Sequence, residues 1–301
     1  MTPNLPYLRV QARNGEFLVR DGLSLCFYMR QPHEDIAAAV MEALAHYLRA
    51  VGESALGWYV DPEGDWQELD AAGWAYIHQH MRDSSPLLTL KDTPGGAGPY
   101  RFEYHGKSPH TPLVLQEPDA VSAVEFWLPT EILHERGSPW VRELALELGA
   151  RLPFTSGHVG LSFNALDQLA GVSRELLPWC FRHPGMSPRE SERLSWKLGT
   201  RVPGVHWLTF LSQPVLGELG GASGLRARLV SPGISVHELD PQRVLLTLGA
   251  EPDAGDTSSG HPLPLHREVA RLLEPWLFHR PLPWGGFSPE DLRRWERRFL
   301  D

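Results

Sequence analysis

The sequence predicts an α+β fold, with mixed or antiparallel sheets and packed helices. Strand-like and helix-like segments follow one another without regular βαβ alternation, which argues against a doubly wound parallel sheet. Asn-Gly and Asp-Gly pairs between β-rich runs signal tight hairpins. Several segments repeat apolar residues at i, i+4 and stop at Gly, the pattern of amphipathic helices. Each half of the chain holds strands, a helix, more strands and a closing helix. Two α+β halves are therefore expected, an acidic 1–150 and a C-terminal 151–301, either separate or joined as one continuous domain. No residue-level repeat relates them.

Residues 7–30 read as strands broken at Asn14-Gly15 and Asp21-Gly22. Residues 34–51 read as a helix, with Ile36, Val40, Leu44 and Leu48 on one face and Gly52 as its stop. A strand follows at 55–62 and a short helix at 70–82. Strands at 87–92 and 100–106 flank the loop TPGGAGP, and the Pro-rich stretch 107–119 reads as irregular. A strand at 122–129 precedes a helix at 139–149, where Pro139 suits the first helical position. Beyond it lie a strand at 158–165 and a helix over 166–179. Ser187-Pro188-Arg189-Glu190 has the form of a capping box. Residues 205–211 are apolar and β-rich. LRARLV, ISVHEL and RVLLTLG, within 225–249, read as a three-strand meander. A polar loop over 251–264 leads to a helix at 265–278, and Ser288-Pro289-Glu290-Asp291 caps a last helix. That helix mixes arginines with acids around Leu292, Trp295 and Phe299, which favours a docked helix over a membrane or nucleic-acid one.

The 301 residues are 42% hydrophobic and 22% charged, an ordinary globular balance that excludes a disordered, collagenous or disulfide-knot protein. The two cysteines, Cys26 and Cys180, lie far apart in no ligand pattern, as expected of buried thiols in a reducing compartment. The opening MTPNLPYLRVQARNGE lacks the basic-then-apolar layout of a signal peptide, and no run approaches the ~18 apolar residues of a membrane span. A soluble, cytoplasmic protein is expected.

The net charge of −9 is uneven. Residues 1–150 carry 21 acids against 11 Lys and Arg, a balance of −10, and residues 151–301 carry 16 against 17. Between Arg49 and Arg82 there is no Lys or Arg, but six acids: Glu53, Asp61, Glu63, Asp65, Glu68 and Asp70. Trp58 and Trp66 bracket this stretch and Trp74 follows it. Such a surface repels nucleic acid and attracts basic partners. Aromatics beside acids suit an interface that anchors on rings and selects by charge. Asp61-Pro62-Glu63-Gly64-Asp65 has turn composition, so its carboxylates are expected to project from a loop.

No catalytic motif is present. G-x-G-x-x-G after a strand, the P-loop, H-E-x-x-H and C-x-x-C are all missing. Gly160-Leu161-Ser162-Phe163-Asn164 lacks the second Gly of a nucleophile elbow. The 14 histidines, among them His78, His80, His105 and His110, do not fall into ligand spacing, so neither a metal nor a cofactor is expected. An enzyme with a dispersed site, of the hydrolase kind, or a non-catalytic adaptor in a secretion assembly stay open as alternatives.

Five ordered phrases carry a resemblance: LPFTSGHVGLSFNA (152–165), CFRHPGMSP (180–188), GVHWLTFLSQPVLGELGG (204–221), LTLGAEPDAGD (247–256) and LHREVARLLEPW (265–276). Together they resemble the bacterial type VI secretion immunity family. The resemblance implies an inhibitor that binds a cognate toxin effector delivered by kin cells, with no catalytic residues to carry over. Its shared positions, such as Gly157, Pro184, Trp207 and Asp256, suit turns and core rather than toxin contact. With no export signal, a toxin acting in the cytoplasm, above all a nuclease, is the expected partner, and neither nucleic acid nor membrane is. The expected toxin-binding residues are Trp58, Asp61, Glu63, Asp65, Trp66, Glu68 and Asp70.

Overall fold

A computed structural model describes residues 5–166, 169, 171–281 and 286–301. Trp284 and most of 167–170 lie outside the described residues. Strands β1 (Arg9–Gln11) and β2 (Phe17–Met29) meet at the Asn14-Gly15 turn, where Gly15 takes a φ of +87°. Asp21-Gly22, expected as a second turn, instead lies inside β2. Asp21 is buried and accepts from the Leu8 N–H at 2.8 Å, and also pairs with Arg9 and Thr130. Those partners hold the chain extended through a sequence that favours a bend in isolation. A Cβ at Gly22 would run into the Asn164 side chain, so glycine here serves close packing.

Helix α1 (His33–Val51) buries Ile36, Val40, Leu44 and Leu48, and the Gly52 N–H closes it on the Leu48 carbonyl at 2.8 Å. Then come β3 (Trp58–Val60), β4 (Trp66–Glu68), α2 (Ala71–His80), β5 (Leu87–Lys91), β6 (Arg101–His105), the short α3 (Pro112–Leu115) and β7 (Ser122–Pro129). A short α4 (Glu131–Glu135) precedes α5 (Gly137–Arg151), which starts two residues before Pro139. Next are β8 (Ser156–Ala165), α6 (Val172–Arg182), β9 (Ser187–Pro188), α7 (Ser191–Lys197), β10 (Leu208–Leu211), α8 (Val215–Glu218) and α9 (Gly221–Arg228). The chain closes with β11 (Ile234–Asp240), β12 (Arg243–Leu248), α10 (Pro264–Leu273) and α11 (Pro289–Glu296).

Two further expectations are corrected. Ser187-Pro188 is not a helix cap: it pairs in parallel with Ser162-Phe163 of β8, and the helix begins at Ser191. LRARLV is not a strand. Gly220 and Gly221 at positive φ open α9, whose buried Leu225 faces inward, so the meander reduces to the β11–β12 hairpin. The box at Ser288 is present as expected, with Ser288 and Asp291 exchanging hydrogen bonds. Helix α6 starts at Val172, after Gly171 at a φ of +91°.

The strands form one open sheet in the order β11-β12-β10-β8-β2-β7-β6-β5-β3-β4, antiparallel except for the β8–β9 pair. The α+β class is as the sequence predicts. At the centre, β2 pairs with β7 on one side and with β8 on the other. Its odd positions, Val19, Leu23, Leu25, Phe27 and Met29, join α1 and α5 in the largest hydrophobic cluster. Its even positions, Arg20, Ser24, Cys26 and Tyr28, face the opposite layer and are buried as well. The period-2 alternation thus separates an apolar interior from a polar one. A second cluster packs β10 and β12 against α8, α9 and α10.

Candidate functional site at the acidic end of the sheet

The far edge of the sheet is the β3–β4 hairpin, so the acidic stretch becomes a protruding structure. Its loop is built by Asp61. The Asp61 N–H donates to the Asp65 carbonyl at 3.0 Å, and Gly64 turns the chain at a φ of +91°. The Asp61 carboxylate accepts from the backbone N–H groups of Glu63 at 3.1 Å and Asp65 at 2.9 Å, and from Gln67 Nε2 at 2.8 Å. The Gln67 bond first, then those backbone bonds, hold its pKa below the usual carboxylate range. Asp70 caps α2, accepting from the Gly73 N–H at 2.9 Å. Both carboxylates are therefore committed to local structure. Glu63, Asp65 and Glu68 are exposed, and their side chains make no hydrogen bond or ion pair among the described residues.

Strand register sorts the rings by face. Trp58 pairs with Glu68 and Val60 with Trp66, and Trp58 also pairs with Lys91 of β5. Paired residues project from the same side of a sheet. Trp58, Val60, Trp66 and Glu68 therefore share the face that also carries Leu87 and Lys91. Lys91 is only 1% exposed: its Nζ donates to the Gly96 carbonyl at 2.6 Å and lies 4.8 Å from the Trp66 ring centroid. Burial pulls its pKa down to about 8. Trp58, Val60 and Trp66 are half-buried and pack into none of the three hydrophobic clusters, and Leu87 is 55% exposed. The opposite face of the same hairpin is different. Tyr59 stacks on Tyr76 at 5.1 Å, Tyr76 stacks on His80 at 5.6 Å, and Tyr59, Trp74 and Tyr76 rest against the main core.

Of the seven residues singled out from sequence, the structure brings Trp58, Trp66 and Glu68 onto one face and places Glu63 and Asp65 at the loop beside it. Asp61 and Asp70 serve as braces. Sequence reading missed Val60 and Leu87. The alternation in Trp66-Gln67-Glu68 was the available signal, but three residues are too short a run to count as a strand.

The buried polar layer over the sheet centre holds many titratable groups, and its carboxylates are paired with the guanidinium, hydroxyl and indole donors around them. Glu125 accepts from Ser24 Oγ at 2.8 Å, from Trp127 Nε1 at 3.0 Å and from Ser191 Oγ. Arg280 grips Glu190 through two bonds, at 2.7 and 2.5 Å, and Glu103 pairs with Arg101 and Arg189. Burial pushes the Cys26 thiol far up, the opposite of an activated nucleophile. The void among these groups measures about 20 Å³, room for a water molecule rather than a substrate. Among the described residues, no cluster of three or more His, Cys, Asp or Glu could hold a metal ion. A larger groove of about 660 Å³ between Tyr7, Trp179 and the 251–261 loop carries two coupled pairs, Arg182 with Asp256 and His261 with Asp253. No described helix is long and apolar enough to cross a membrane.

A comparison with curated proteins returns no match. Among solved structures, the Pseudomonas aeruginosa T6SS protein PA0821 superposes with a TM-score of 0.79 at 18% sequence identity, over 97% of this chain and 87% of that one. At that identity the likeness shows a shared fold. Residues 39–299 match the family model described as TsiV, type VI immunity for VRR-NUC. That match takes in the acidic hairpin, the strands β7 and β8 on either side of β2, and every phrase that carried the resemblance, and the chain belongs to the TsiV family of type VI immunity proteins.

Proposed function

We propose that this protein protects its cell by binding a VRR-NUC nuclease toxin in the cytoplasm and blocking it through protein–protein contact, without turnover. The observation that carries the reading is the family match across residues 39–299. A nuclease acts on nucleic acid, so its inhibitor must meet it where nucleic acid is. The pairing of the polar layer supports inhibition by binding, since its carboxylates and guanidinia are engaged with each other rather than with a substrate-sized cavity. The excess of acids in residues 1–150 supports a basic partner, because a nuclease must present positive charge to phosphate.

Co-expression with the cognate VRR-NUC nuclease tests this. Cells making the nuclease alone should lose viability and DNA integrity, and cells making both should keep them. The purified chain should form a stoichiometric complex with a catalytically inactive nuclease. Failure to protect, or protection without complex formation, overturns the reading.

A further inference from the structure

We infer that the toxin docks on the open sheet face at the β3–β4–β5 edge, with Trp58, Val60, Trp66 and Leu87 as its apolar centre and Glu63, Asp65 and Glu68 as its acidic rim; the inference rests on the immunity reading above. Over the middle of the sheet both faces are covered, and even the polar face is buried. At this edge the cover ends. Trp58, Val60 and Trp66 sit half-buried outside every hydrophobic cluster, and Leu87 on the same face stands 55% exposed. Exposed apolar groups gathered on one face and ringed by charge have the anatomy of an interface, in which central rings are desolvated and the rim sets partner and approach.

The occupant follows from charge. All three rim groups are carboxylates without partners among the described residues, and no Lys or Arg lies between Arg49 and Arg82. Lys91 and its register partner Arg101 lie on this face but are buried, Lys91 tied to Gly96 and Arg101 to Glu103, so they do not offset the rim. The fitting surface is basic with an apolar middle, as in a nuclease cleft whose cations otherwise hold phosphates. Docked there, the carboxylates occupy phosphate positions and nucleic acid is displaced. Asp61 and Asp70 take no part in contact, because their oxygens are held by the hairpin and by α2.

The probe is the catalytically inactive form of the nuclease against which the wild-type chain protects, and the measurement is association and dissociation at several salt concentrations. Reversing the rim (Glu63→Lys, Asp65→Lys, Glu68→Lys) should slow association about tenfold or more and flatten its salt dependence. Leu87→Lys and Trp58→Ala should each speed dissociation, with a loss of about thirty-fold at a central anchor. Leu87 is exposed, so its variant tests the face even if Trp58→Ala folds poorly. A control reversing the exposed Glu135, Glu175 and Glu251 changes net charge equally and should leave the salt slope near wild type. If wild-type chain does not bind the nuclease, the immunity reading fails. If wild type binds and the rim and Leu87 variants bind equally well, the docking face is wrong. If the free chain is a dimer that Leu87→Lys dissociates, the face belongs to a second copy and the inference is overturned.

Discussion

His158 and His206 lie stacked in the polar layer, ring centroids 4.0 Å apart and planes inclined by 16°. Two imidazolium rings at that distance would repel each other, and Arg280 adds further positive charge nearby. The pair fits the fold only when neutral. Burial pulls His158 down to about 3 and His206 well below its ordinary value, and His158 Nδ1 has no partner among the described residues. His105 and His266, elsewhere in the interior, are pulled down to about 4 by burial.

These four rings set an acid limit. Each folded-state pKa lies below the unfolded value near 6.5, so the unfolded chain takes up protons first as pH falls. The contribution of these rings should be flat above about pH 6.5, and stability should decline from there toward pH 4, by about 1.4 kcal/mol per pH unit for each ring held neutral. Urea melts at pH 7, 6 and 5 read the slope, and His158→Gln should make it shallower. A midpoint that does not move between pH 7 and pH 5 contradicts the assignment.

The α1 and α5 faces carry the main core. Leu44 is 1% exposed and Leu144 is 3% exposed. Truncating either to Ala should cost about 2–5 kcal/mol in equilibrium unfolding, through lost burial and the cavity left behind. Losses under about 1 kcal/mol at both positions, outside the range for buried leucines, would mean that these helices do not sit on the sheet as described.

Glu125 is a structural acid. It lies buried under three donors, Ser24, Trp127 and Ser191. Glu125→Ala strands all three and should cost about 3 kcal/mol or more, whereas Glu125→Gln keeps an acceptor and should cost less. Thermal melts of the two variants decide; equal melting points would show that the donors find other partners.

Asp61 and Asp65 should behave differently although they are four residues apart on one loop. Asp61→Asn removes the charge that anchors two backbone N–H groups, so the Glu63 and Asp65 amides should exchange with deuterium faster. Asp65→Asn should leave both rates unchanged. The same exchange behaviour in both variants would mean that the loop does not depend on the Asp61 carboxylate.

Sequence alone gave the class and most elements, because long periodic segments such as 34–51 and strongly β-rich runs such as 122–129 carry their signal locally. It failed where tertiary partners overrule local preference. Asp21-Gly22 reads as a turn until Leu8, Arg9 and Thr130 are seen to hold Asp21. Ser187-Pro188 reads as a cap until β8 is seen to pair with it. LRARLV has β-rich composition, but paired glycines before it start a helix. At the candidate site, the acids and the two tryptophans were visible as a cluster. What sequence could not separate was bracing from free carboxylates, since Asp61 and Asp65 differ only in which hydrogen bonds the folded loop makes. Nor could it show that Trp58 and Trp66 share a face with Leu87, which depends on cross-strand register.

The central place of β2 has a consequence in time. Its pairing with β8 joins Tyr28 to Ser156. During synthesis the second partner therefore leaves the ribosome roughly 130 residues after the first, or about 6–26 s later at ordinary elongation rates. Throughout that interval an apolar strand edge waits with its backbone groups unpaired. The β7 side is filled earlier and the β8 side last, so the newborn chain is most open to aggregation and to chaperone capture just before residues 156–165 emerge.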